Sequence, residues 1–562
     1  MRARASRGRA LVRGTLCGLG LLLASCDARD AAAPAAPGDS ATSVSAPQVV
    51  TQAGAPHADA GAAWRADCPP MVEHAPLGLD AARDAHRRAE RRHELRLREA
   101  AAPGSFLRAM HAALDPQRLA HGELCLADVA DLGELVFEHE YGFADGLGAG
   151  SAAKDGRGPF RRVHEGLFGG PETISCPSCH WVGGPNGAGA ETDNAFLQGD
   201  GERPASGDAR NPPALVAPGV VQALAAEMTR DLQRQRDALV RGGGEGSAGQ
   251  DGLDPGRARE VRLASKGVDF GVLRVAADGT LDVSGLRGID ADLVVKPFGW
   301  KGTLATIAAF SSEALQVHTG VQSAELIAHG APELLRAGGA DTGAGTDAAD
   351  PDGDGVRGEV GRGPFAAMIA HLALLELPVV APLVQDRALP PAAPALLAPT
   401  TTSFAHDFQR GREQFHALGC AGCHVPMLVL DSPVLELDEL PPIDLSRSMR
   451  APRLAYDAQA GGYPVWLFSD LKRHDMGDEN AARHDQNGVT SRTYLTPRLW
   501  GVADSAPYLH DGRAPSFDYA IAGHGGEGAA SRAAYAALSH EDKGALRVYL
   551  MSLRRSPRVV VP

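Results

Sequence analysis

The chain has 562 residues, long enough for three or four units of ordinary domain size and a real buried core. Its 55 Lys and Arg against 69 Asp and Glu give a formal charge of −14 and a pI near 5.8, which disfavours a nucleic-acid partner and leaves a small basic protein as one that charge could attract. Gly (67) and Pro (39) are abundant and aromatics make up only 5%, a profile of long irregular loops.

Residues 1–26 read as a targeting segment. Arg2, Arg4, Arg7, Arg9 and Arg13 form a basic start, and the apolar run from Leu16 to Ala24 is too short to span a bilayer. It ends Leu23-Ala24-Ser25-Cys26, a lipoprotein cleavage box that would make Cys26 the lipidated first residue; an ordinary secretory signal with an accidental cysteine is the alternative. The expectation is a body on the periplasmic side of the cell envelope, held to the membrane through its lipid anchor alone. Residues 27–66, rich in Ala, Pro, Gly, Ser and Thr, form a flexible tether. A helical region over 67–150 follows, with a highly charged helix from Leu79 to Ala100 whose arginines and glutamates make a solvated face.

The first motif with chemistry is Cys176-Pro177-Ser178-Cys179-His180. Two thiols three positions apart followed at once by histidine make a c-type haem attachment site: each sulfur takes one vinyl group, and the histidine reaches the iron. A second copy, Cys420-Ala421-Gly422-Cys423-His424, lies far downstream. A structural zinc site or a redox dithiol requires no histidine directly after the second cysteine. Two covalent haems c are therefore the expected cofactors. Of the eight cysteines, Cys17 leaves with the signal, Cys26 takes lipid and four hold haem. Cys68 and Cys125 remain, an even remainder that suggests a disulfide in an oxidising compartment, with two buried thiols as the alternative.

Residues 151–335 make up a first haem domain. Within it the pattern predicts a helix over Pro218 to Val240, a Gly-rich loop from Gly242 to Gly252, and a hairpin with strands Phe270 to Val275 and Thr280 to Leu286 about Asp278-Gly279. Residues 336–400 carry an acidic loop and a connecting helix. In that loop Asp350, Asp352 and Asp354 alternate before Gly355, with Glu359 as a closing carboxylate, the pattern by which short loops wrap Ca²⁺; a merely solvated acidic turn is the alternative. Residues 401–562 read as a cytochrome c domain, its first helix from Phe404 to Leu418 and its last from Glu541 to Leu553. The fold class is mainly α: two cytochrome c-like haem domains with a small β-hairpin insertion and long irregular loops.

Four motifs in order over residues 150–555 carry a resemblance: Phe298-Gly299-Trp300-Lys301, the loop Asp350 to Gly355, His474-Asp475-Met476-Gly477, and Arg492-Thr493 through Leu509-His510-Asp511-Gly512-Arg513-Ala514 to His524-Gly525-Gly526-Glu527. The chain resembles the bacterial di-haem cytochrome c peroxidase superfamily, and within it the di-haem oxidoreductases often called putative peroxidases or thiol oxidoreductase-like proteins. The resemblance implies that Cys176, Cys179 and His180 hold the haem where peroxide reacts, while Cys420, Cys423 and His424 hold the haem that accepts electrons from a periplasmic donor, a small cytochrome or a cupredoxin. In those peroxidases a methionine fourteen residues beyond the His-Asp-Gly histidine ligates the second iron. Counted from His510, that position is His524, which implies a bis-histidine haem of lowered potential. Trp300 resembles the tryptophan between the two haems, and Glu313 falls near the glutamate that moves a proton between the peroxide oxygens; core packing and a solvated helix face are their plain alternatives.

Two departures stand out. The glutamine that accompanies that glutamate has no counterpart, and no histidine lies between His180 and His318, so the first iron is either open or capped by His318. Glu313 and His318 are five apart on one expected helix, which on ideal α geometry turns them about 140° from each other and away from a shared target. The leading function is a di-haem enzyme reducing hydrogen peroxide or oxidising a substrate. A pure electron-transfer cytochrome and a binding module that uses haem only structurally are the other classes.

Overall fold

The structure, a computed structural model, describes residues 63–66, 68, 79–148, 163–164, 171–241, 258–328, 355–380, 404–448 and 452–555. The targeting segment, most of the tether, the loop Gly242 to Gly252, and Asp350, Asp352 and Asp354 lie outside them.

Helix outweighs strand among these residues, and every strand is short. The charged helix α1 spans Leu79–Ala101. Its Arg92 reaches Glu138 at 2.7 Å in a half-buried pair, and its Arg98 pairs with Glu94 one turn back, an exposed pair that contributes little. Helix α2 (Leu126–Glu138) starts directly after Cys125, which is bridged to Cys68, so the even remainder of the cysteine count is a disulfide. Helix α3 runs Pro218–Arg241 and begins one residue after Ala217, with proline in its first turn where no N–H is needed.

A three-stranded antiparallel sheet follows: β1 (Arg259–Ser265), β2 (Val268–Val275) and β3 (Leu281–Asp282) in that order. The Asp278-Gly279 turn is where the sequence puts it, with Gly279 at φ 85°. The strand β1 has no counterpart in the sequence reading, because Arg259, Glu260 and Arg262 dilute its apolar alternation. Its junction to β2 is a two-residue turn, Lys266 and Gly267, both at positive φ, the geometry that matches strand twist. The expected strand from Thr280 to Leu286 shortens to two residues, since the Asp282 side chain accepts from Ser284 N and turns the chain away.

Helix α4 covers Ile307–Ala314, started by Thr306 accepting from Ala309 N, and α5 covers Arg362–Ala373. Helices α2 and α5 cross with their backbones in contact: a Cβ at Gly133 would run into the carbonyl of Ala367. Their apolar faces join α3 and the sheet in one core, which continues into Leu428, Leu430, Ile443, Val465 and Leu467. Packing therefore runs without a break across the 400/401 boundary.

A second core belongs to the C-terminal part. Helix α6 (Phe404–Ala417) crosses the last helix, and Phe408, Phe415, Phe468 and Tyr549 meet there, with ring centres 5.1 Å apart for Phe408 and Tyr549. Two short strands, β4 (Arg473–Asp475) and β5 (Thr493–Leu495), pair between them. Helix α7 spans Phe517–Ala522 and α8 spans His540–Met551, capped by Ser539 accepting from Asp542 N. No described helix is long and apolar enough to cross a membrane.

Candidate functional site

The two Cys-x-x-Cys-His segments fold alike. Each makes a single 3-10 turn, Cys176–Ser178 and Cys420–Gly422, and in each the histidine N–H returns to the carbonyl of the first cysteine: His180 to Cys176 at 3.2 Å, His424 to Cys420 at 2.9 Å. The imidazoles are then oriented by backbone. Nδ1 of His180 lies 3.2 Å from Gly187 O, and Nδ1 of His424 lies 3.2 Å from Phe468 O. A proton donated there leaves Nε2 as the unprotonated, ligand-competent nitrogen. Burial pushes both imidazoles down to about 4, so they are neutral as ligands must be.

None of the four motif cysteines is disulfide-bonded. Burial raises the Cys176 thiol to about 12 and the Cys420 thiol to about 11, so both rest protonated in the chain without a bound group.

The first turn opens on a cavity of about 190 Å³. Cys176, Cys179 and His180 line it together with Trp300, Glu313 and His318. The expectation that Glu313 and His318 face apart is corrected here. Helix α4 gives way to a π turn over Leu315–Thr319, where hydrogen bonds span five residues instead of four and the wider winding departs from ideal α spacing. Both side chains reach the cavity and influence each other's protonation. Burial raises the Glu313 carboxyl, keeping it protonated to higher pH than an ordinary glutamate.

Two lining residues carry no sequence signal: Glu172 and Arg210. Glu172 Oε2 lies 2.6 Å from His318 Nδ1, and its Oε1 lies 2.9 Å from Nε2 of the fully buried His164. Burial works against the Glu172 charge, but the hydrogen bonds from His164 and His318 prevail and hold its carboxyl at about 2. His318 is raised in turn, burial being outweighed by Glu172. Arg210 is 7% exposed; Nη1 donates to Ala209 O, while Nε and Nη2 are buried without an acceptor and Asp208 Oδ2 stands off at 3.6 Å. A buried guanidinium with unmatched donors against a cavity asks for an anionic group. Haem, with two carboxylates and an apolar plate, fits that demand.

The second turn lacks such an opening because another imidazole faces it. The rings of His424 and His524 have centres 6.4 Å apart. An iron about 2 Å from each nitrogen, with each nitrogen roughly 1.2 Å from its ring centre, separates two imidazole centres by about 6.4 Å. His524 Nδ1 is 2.8 Å from Ala520 O at the end of α7, which again leaves Nε2 for a metal. His180 and His318 show no ring contact of this kind. Beside the second site His474 on β4 is clamped between Asp470 (2.8 Å) and Glu527 (2.8 Å), 3.8 Å from the Cys423 sulfur. Burial opposes its charge, yet the hydrogen bond and charge of Asp470 raise it above an ordinary imidazole.

Trp300 lines the first cavity and is bonded to β5, the strand paired with the one that carries His474. Its Nε1 donates to Asn211 O at 2.8 Å in the wall of the first cavity, and Asn211 N donates to His510 O at 2.7 Å. Its own carbonyl accepts from Leu495 N on β5. Next to it, Lys301 is buried with Nζ donating to the carbonyls of Thr490, Ser491 and Thr493, over the Tyr494 ring at 3.7 Å. Glu359 lies apart from both sites, buried, with Oε2 accepting from Gln322 N at 2.6 Å.

Residues 392–553 match the family model described as di-haem oxidoreductase, putative peroxidase. The second site falls inside that range and the first outside it. Among solved structures, a MauG-like protein associated with microbial copper homeostasis is 16% identical, with 50% of this chain and 78% of that one covered and a TM-score of 0.24. A likeness of that size carries no structural argument. No curated protein matches the chain.

Proposed function

We propose, from the match of residues 392–553 to the di-haem oxidoreductase family model, that the chain is an exported di-haem c-type cytochrome with peroxidase-like activity. Electrons from a small periplasmic cytochrome or cupredoxin enter at the second site and are spent on peroxide at the first. The observation that carries this reading is the contrast between two alike turns: at one, a second imidazole stands at bis-ligand distance, and at the other a cavity opens with ionisable groups on its walls.

Each haem, when bound, supplies an iron that changes oxidation state, and the one with a single imidazole also has a position for an exogenous ligand. The chain does the rest. Cys176 and Cys179, and Cys420 and Cys423, fix the two macrocycles; His180, His424 and His524 present neutral nitrogens. Arg210 receives a carboxylate in the first cavity. Glu313 lines the cavity where peroxide must sit, and its carboxylate can take up a proton from the bound oxidant there. Trp300 lies against the wall of the first cavity and is bonded to the strand that carries Leu495, the position an electron relay requires. The lipid on Cys26 keeps the whole in the cell envelope.

Adding hydrogen peroxide to the anaerobically reduced full chain tests this. Both sets of reduced haem bands should disappear in the wild type. A variant lacking Cys176 and Cys179 should keep one haem that stays reduced. Persistence of both reduced spectra in the wild type would mark an electron carrier instead.

A further inference from the structure

Resting on the reading of the first site as the peroxide site, we propose that His318 is a second catalytic residue there, donating the proton that lets the outer peroxide oxygen leave as water, and that Glu172 and His164 are its positioning residues.

The argument starts from how firmly His318 is held. Its carbonyl accepts from both Glu172 N (2.8 Å) and Thr173 N (3.2 Å), so the π turn and the Glu172 segment are joined through backbone before any side chain is considered. The Glu172 carboxylate then reaches His318 Nδ1 at 2.6 Å. Its other oxygen accepts from Phe196 N at 3.2 Å and lies 2.9 Å from His164 Nε2, and the backbone N–H of His164 donates to Phe196 O at 2.8 Å. Three separate stretches of chain therefore converge on one carboxylate, and they fix a single orientation of the His318 ring. With Nδ1 committed to Glu172, the nitrogen available to the cavity is Nε2.

That orientation suits an acid better than a ligand. His318 makes no ring contact with His180 such as His424 makes with His524, so the two do not bracket an iron as the second-site pair does. Glu172 and Glu313 are the carboxylates that act on it, and His164 and His180 are the neighbouring imidazoles. Both carboxylates favour its charged form, in which Nε2 carries a proton towards the cavity. Glu313 and His318 thus make an acid–base pair at one opening. The carboxylate takes the proton from the iron-side oxygen of H₂O₂, and Nε2–H gives one to the outer oxygen. The O–O bond breaks with its electron pair going to that outer oxygen, which departs as water. Two electrons from the haems, restored by the external donor, and two protons from solvent release the iron-side oxygen as the second water. Proton transfer from Glu313 to His318 resets the pair with no net gain or loss. This also accounts for the missing glutamine: a charged donor five residues from Glu313 stands in its place.

The test uses the full ferric chain with both haems, reacted with peroxide in stopped flow and titrated with cyanide as a probe that needs no turnover. His318→Gln should slow the peroxide reaction about 100-fold or more, the low end of general acid–base contributions, while leaving haem content and ferric spin state unchanged. Weakened cyanide binding should accompany it, because the anion loses its hydrogen-bond donor. Glu172→Gln should give an intermediate loss with a displaced pH profile, and Glu172→Asp should recover part of it. A peroxide rate in His318→Gln within twofold of wild type overturns the proposal and leaves the peroxide site standing. A low-spin first haem that becomes high-spin in His318→Ala also overturns it, by making His318 a ligand. A wild type that neither reacts with peroxide nor binds cyanide overturns both readings.

Discussion

Gly411→Ala sets two effects of known size against each other. In a helix interior, alanine is favoured over glycine by about 1 kcal/mol. At this position, however, the new Cβ would stand 2.7 Å from the Ala545 carbonyl carbon and 2.8 Å from Tyr549 Cβ, with the carbonyl oxygen closer still, where ordinary contact begins at 3.4 Å. The obstacle is backbone, so no rotamer relieves it, and α6 and α8 must part by about 1 Å. A gap of that size forfeits roughly a quarter to a half of the contact energy across it. The side chains that lose it are Phe408, Phe415, Leu546, Tyr549 and Leu550, each worth about 1.5–3 kcal/mol of burial. A quarter to a half of that sum is roughly 2–7 kcal/mol, so packing wins over the propensity gain and the net destabilisation is at least about 1 kcal/mol. Thermal and urea unfolding of the haem-loaded chain, followed at the haem bands, should show it. An unchanged or raised midpoint would refute the close crossing on which the C-terminal fold is built.

His524→Met should introduce a sulfur–iron charge-transfer band and raise the potential of one haem, read by optical titration; an unchanged spectrum would point to another ligand. For pH, Glu172 is held at about 2 against an ordinary 4.5, so its contribution is present above about 4.5 and lost as pH falls towards 2. The difference amounts to about 3 kcal/mol. His318 has the opposite sign: its raised value contributes stability that is lost as pH climbs through it. Urea midpoints of wild type and Glu172→Gln should therefore converge at low pH and separate above about 5; parallel curves would argue against the His164–Glu172–His318 cluster. Trp300→Phe should slow oxidation of the second haem by peroxide more than that of the first, since only the indole N–H reaches Asn211 O.

What could be read in the sequence was local. Both haem turns are contiguous motifs, and the helices that frame the C-terminal part announce themselves by Phe404, Phe408, Gly411 and Phe415 and by Leu546, Tyr549 and Leu550. The His424–His524 pairing followed from counting along a resemblance, and the structure sets the two rings 6.4 Å apart. The first cavity was less legible, because its chemistry is assembled across distance: Glu172 sits 146 residues before His318 in a Gly- and Pro-rich stretch without periodicity. Ideal helix geometry misled where a π turn intervenes, since nothing in Leu315-Gln316-Val317-His318-Thr319 advertises the wider winding. Strand β1 was hidden by its charged outer face, and Arg210 looks like any surface arginine until its unmatched donors are seen inside.

The central claim is that this chain carries two covalently bound haems at the two Cys-x-x-Cys-His turns. Mass spectrometry of the denatured full chain together with pyridine haemochrome absorbance tests it directly. The account predicts two haems per chain, and one each for the Cys176→Ala/Cys179→Ala and Cys420→Ala/Cys423→Ala variants. Fewer than two in the wild type, or two retained in either variant, would contradict it.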